Sequence, residues 1–162
     1  MLLKRTLFIA SLSLLASGTL MAQNFKYIGA PKCKMCHNTP DKGEQFNKWS
    51  EGPHANAMKS LSAEEAKDPK CVKCHSTVGH IDAGLVAGIK AEEGVSCESC
   101  HGPGSMYKGA SVMKNQKIAL TKGLILPTEE VCKTCHNEES PTFKGFDYAE
   151  YSAKIAHPDP SK

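Results

Sequence analysis

The chain has 162 residues, one ordinary domain at most, with 20 Lys and Arg against 17 Asp and Glu and a formal charge of +3. So mild a balance gives no reason to expect a nucleic-acid binder, and one Trp, four Tyr and five Phe leave little for a large aromatic core. Eight cysteines are the outlying feature of the composition.

Met1 to Ala22 reads as a secretory signal peptide. Lys4 and Arg5 supply the positive region, Thr6 to Ala16 the apolar stretch, and cleavage is expected after Ala22. The uncharged run is about 17 residues, short for a membrane span and interrupted by Ser, Gly and Thr, so no stable membrane insertion is expected after cleavage. The remaining single domain, 23–162, has about 140 residues and a formal charge of about +1 once Lys4 and Arg5 are lost. Asp41 is expected to cap a helix through Glu44, Phe46 and Trp49, ending before Gly52-Pro53. Ser62-Ala63-Glu64-Glu65 fits a capping box. Val78 to Ala91, Gly-rich and apolar, reads as loop or weak helix, and 101–104 and 122–127 read as loop. Thr128 is expected to cap a helix through Glu129 and Glu130. Asp147 is expected to cap a last one, with Tyr148, Tyr151 and Ile155 on one face and Pro158 ending it. No sustained apolar–polar alternation occurs, so little or no β is expected. Lysines are spread along the chain and read as solvated surface.

In an exported protein eight cysteines suggest disulfides, but their spacing does not. All eight fall into four Cys-x-x-Cys-His motifs: Cys33, Cys36, His37; Cys71, Cys74, His75; Cys97, Cys100, His101; and Cys132, Cys135, His136. Two thiols so spaced add across the two vinyl groups of one haem, and the following His becomes the proximal iron ligand. Zinc knuckles or redox dithiols need paired cysteines but no His after the second. Four such placements would arise by chance roughly once in 300,000 chains of this His content. The expected cofactor is therefore four covalent haem c groups. At about 35 residues per porphyrin they serve as both staple and core, with short helices and much irregular loop around closely spaced haems.

Seven His are present, leaving His54, His80 and His157 as distal ligands. Four irons offer eight axial positions, so at least one site cannot be bis-His within one chain. Its sixth position falls to Met35, Met58, Met106 or Met113, to water, to a partner, or stays open. The bland reading of each Met is apolar packing.

Several segments resemble the tetrahaem cytochrome c-554 family. They are Tyr27-Ile28-Gly29, the run from Trp49 to Ala55, the run from Gly94 through the third motif to Gly104, and Ile155-Ala156-His157-Pro158. The resemblance implies a mainly helical protein around stacked haem pairs, acting as a periplasmic carrier. It implies that His80 pairs with His37, His157 with His101 and His54 with His136. The haem on His75 would be open and able to take a small gaseous ligand.

Three functions compete. The first is an exported electron carrier between redox partner proteins, without catalytic residues. The second is an enzyme reducing a small nitrogen oxide such as nitric oxide at an open haem, for which no spare His remains as acid or base. The third is an extracellular haem filament, which would want complete bis-His ligation.

Overall fold

The computed structural model describes residues 25–160, so the proposed signal segment lies outside the described residues. Among these residues eight short α-helices lie in irregular chain: α1 Ala30–Lys34, α2 Gln45–Glu51, α3 Pro69–His75, α4 Cys97–His101, α5 Ala110–Met113, α6 Gln116–Thr121, α7 Glu129–Lys133 and α8 Tyr148–Ile155. Short 3-10 turns link them, and the β structure among the described residues is one isolated bridge, Tyr27 to Val86. The expected mainly α, loop-rich architecture is what forms. Among these residues no helix is long and apolar enough to cross a membrane.

Local capping follows the sequence in part. Asp147 accepts from the Glu150 N–H at 2.8 Å and starts α8. The Ser62–Glu65 box closes from both sides, Ser62 N–H to Glu65 at 2.8 Å and Glu65 N–H to the Ser62 hydroxyl at 3.2 Å, but on a 3-10 turn. Asp41 does not start α2. It sits in the turn Pro40–Lys42, and left-handed Gly43 (φ 91°) separates that turn from a helix beginning at Gln45. Thr128 precedes α7 as expected, but its side chain makes no capping hydrogen bond to a backbone N–H. The 78–91 stretch is not an α-helix but turns Thr77–Gly79 and Ala83–Leu85 in irregular chain.

The side-chain core is thin. Among the described residues the buried apolar side chains are Ala30, Ile89, Tyr107 and Ala119, two of them alanines. Beside them lie buried polar groups: Ser76, Thr77, Ser96 and Glu98. Such groups persist only when hydrogen-bonded, and these are. Thr77 Oγ1 accepts from Ser96 N–H at 2.8 Å and bonds Ser99 Oγ at 2.6 Å. Glu98 accepts from Ile28 N–H at 2.9 Å, Gly29 N–H at 2.7 Å and Gly104 N–H at 2.6 Å. The chain thus ties its N-terminal segment to α4 through one buried carboxylate.

Candidate haem attachment sites

Each motif occupies a helical turn. α3 and α4 contain theirs whole, while α1 and α7 end within theirs and the turn continues to the His. His37 N–H donates to Cys33 O at 3.0 Å, and His136 N–H to Cys132 O at 3.0 Å. Positions i, i+3 and i+4 share a helix face, so both thiols and the imidazole of each motif project together. Met35, inside the first motif, is 76% exposed.

All eight cysteines are free thiols. Among the described residues no three His, Cys, Asp or Glu side chains converge as a metal site. The thiols instead meet between motifs. The Cys97 thiol beside Cys33 holds its pKa down, so motif 1 lies against motif 3, and α1 packs on α4. Burial, then the nearby Cys132 and Cys135, pushes the Cys100 thiol up to about 11, which puts motif 3 beside motif 4. Burial, with Cys74 alongside, pushes Cys135 up to about 11, and Lys73 pairs with Glu139 at 2.7 Å, which puts motif 4 beside motif 2. The spatial order is therefore 1, 3, 4, 2.

The imidazoles follow the same plan. His101 and His157 have ring centroids 6.1 Å apart, and so do His54 and His136. Two imidazoles on opposite sides of one metal, each with a nitrogen–metal bond of about 2 Å, place their centroids about 6 Å apart. Burial first, and His136 second, holds His54 below the ordinary imidazole pKa. Burial and then His157 do the same for His101, and burial alone for His136. A neutral ring is the form that binds iron. His157 Nδ1 faces Ile155 O at 2.8 Å, and His75 Nδ1 faces Ala57 O at 2.9 Å. A carbonyl only accepts, so Nδ1 carries the hydrogen and Nε2 is left for a metal. The donor set fits haem.

The folding of each ligand is local. α8 ends at Ile155 and delivers His157 to α4. Val95 N–H donates to His54 O at 2.9 Å, and Gly94 (φ 66°) permits it, since a Cβ there would stand 2.5 Å from His54 O. Phe146 stacks on His136 at 4.9 Å. His54, Cys74, His75, His80, Cys132 and His136 help line one cavity of about 670 Å³. Trp49, His54, Cys97, His101 and His157 help line a second of about 90 Å³.

His80 Nδ1 faces Lys73 O at 3.2 Å, beside motif 2. Sequence reasoning missed Glu98, which stands at a variable position inside motif 3 where outward-facing side chains are the rule. Nothing in its local pattern distinguishes it; only the N-terminal segment folding back creates its partners.

Thiol pairs followed by His, presented on short helical turns with a second imidazole opposite, define a c-type cytochrome, a protein that carries electrons on covalent haem. The chain belongs to the cytochrome c-554 family. The family described as cytochrome c554 and c-prime matches residues 32–102. Cytochrome c-554 of Nitrosomonas europaea is 31% identical over 174 aligned positions, covering 86% of this chain and 70% of that protein. No solved structure matches the chain.

Proposed function

We propose that this protein is an exported, periplasmic tetrahaem electron carrier with unequal haem sites. The observation that carries the reading is the continuous 1, 3, 4, 2 arrangement of thiol pairs, with imidazoles 6.1 Å apart at the two inner sites. Bound haem supplies one-electron iron chemistry. Cys33, Cys36, Cys71, Cys74, Cys97, Cys100, Cys132 and Cys135 hold the four groups by thioethers. His37, His75, His101 and His136 are the proximal ligands. His157 completes the site of His101, and His54 that of His136.

The third pair, His37 with His80, rests on the resemblance alone. The His75 site is then open, and its ring is steered by the carbonyl of Ala57 and by Ser60 Oγ at 3.3 Å. Closely packed motifs suit transfer between haems better than chemistry at any one of them. The physiological donor and acceptor are redox proteins. Export rests on the signal-like N-terminus.

A pyridine haemochrome assay on the purified protein should give four haems per chain, and fewer would end the reading. One carbon monoxide per reduced chain is expected. Two would remove His80 from the ligand set, and none would close the His75 site.

A further inference from the structure

The lysines are spread along the chain, but the acidic residues are not. From Ser99 to Thr128 there is no Asp or Glu, while Lys108, Lys114, Lys117 and Lys122 fall inside. The rest of residues 25–160 carries 13 Lys against 17 Asp and Glu. Haem propionates would add further negative charge to the molecule as a whole. One segment is thus cationic on an otherwise acidic molecule.

The same segment concentrates exposed apolar surface. Of the eight large apolar side chains that are exposed among the described residues, five lie between positions 106 and 126. Ile118, Leu120, Ile125 and Leu126 are each 42–48% exposed, and Lys108, Lys114 and Lys117 are exposed among them. Exposed apolar residues are ordinary when scattered, and gathered among charges of one sign they mark an interaction site.

The segment is also fastened to a haem motif. Ile125 N–H donates to His101 O at 2.9 Å. A Cβ at Gly102 would stand 3.1 Å from the Ile125 side chain and 2.3 Å from Gly123 O, so the loop lies flat against the end of α4. Ala119, fully buried, anchors α6 beneath the exposed residues.

We propose that 106–126 is the docking surface for an acidic redox protein, which delivers or removes electrons beside the His101 site. Lysines steer an anionic partner into encounter, and the apolar side chains hold the short-lived complex. The proposal rests on the electron-carrier reading. A redox partner is favoured over other occupants because the surface abuts a proximal ligand and its charge is opposite to the remainder of the chain.

The test uses holoprotein and reduced flavodoxin, an acidic one-electron donor, in stopped flow. Lys108→Glu/Lys114→Glu/Lys117→Glu should slow the second-order reduction at low salt by about tenfold or more and flatten its salt dependence. Ile118→Ser/Leu126→Ser should slow it at high salt, where steering is screened. Lys59→Glu/Lys67→Glu/Lys70→Glu makes the same charge change where Glu64, Glu65 and Asp68 intervene, and should leave the rate within about twofold. Unchanged Soret and far-ultraviolet spectra certify folding.

Equal slowing by both lysine triples would reduce the effect to net charge and overturn the proposal. So would an unchanged rate in the first triple, concentration-dependent dimerisation through the segment, or its binding to phosphatidylglycerol vesicles. Haem content and dithionite reduction, measured on the same samples, report separately on the carrier reading.

Discussion

Two halves of the molecule hold their motifs together by different means. Motifs 1 and 3 are joined by a buried network, with Glu98 holding Ile28, Gly29 and Gly104 and Glu93 accepting from Ala30 N–H at 2.7 Å. Motifs 2 and 4 are joined near the surface, through the exposed Lys73–Glu139 pair. Motif 2 is entered from the exposed Ser62–Glu65 box. Buried hydrogen bonds are costly to lose and exposed ion pairs are not, so the first half should be the rigid one.

The largest effect expected is from Glu98→Ala. It strips the acceptor from three backbone N–H groups, each worth about 1–3 kcal/mol when left unpaired, so a loss of about 3 kcal/mol or more is expected in denaturant unfolding of the holoprotein. A loss under about 1 kcal/mol would show that solvent replaces the carboxylate and that the halves do not differ.

Next come the imidazoles. His157→Ala and His54→Ala should each convert one six-coordinate site to a high-spin, carbon-monoxide-binding one, read by electron paramagnetic resonance and gas titration. A low-spin spectrum unchanged in both would remove these residues as ligands and break the symmetry of the inner pair.

The two carboxylates should also respond to pH in opposite senses. Burial raises the Glu98 carboxyl, outweighing the pull of its backbone donors. The folded state then binds its proton more tightly than the unfolded chain. Its contribution is present at low pH and is lost as pH rises from about 4.3, the ordinary value, through the raised one. The Ser62 backbone N–H, then its hydroxyl, lowers Glu65, whose contribution is present above the ordinary value and is lost as pH falls through the lowered one. Unfolding of Glu98→Gln should lack the first slope and that of Glu65→Gln the second. Parallel curves for either variant and the parent would refute the assignment. The smallest effect is expected from Lys73→Ala, with an unfolding midpoint close to the parent's. A drop rivalling that of Glu98→Ala would mean that the exposed pair locks motif 4 to motif 2.

Much of this was legible in the sequence because haem attachment is local chemistry. Cys33 to His37 spans one helical turn, and the spacing alone brings its three functional atoms to one face. The count of seven His likewise shows, without any structure, that four such motifs could not all gain a second His ligand within one chain. Caps were half legible: Asp147 needed only its own turn, whereas Asp41 lost its helix to the left-handed Gly43 two residues on.

Sequence by itself determined the cofactor chemistry, the number of motifs and the shortage of axial ligands, since each depends on residues within five positions or on a tally. Tertiary structure decided the order 1, 3, 4, 2, the partners of His101 and His136, and the burial of Glu98. It also set the acid-free segment against the His101 turn. These depend on contacts across roughly 25 to 80 residues of chain, which no local period encodes, because chain entropy must first be overcome by packing that forms only in the complete fold.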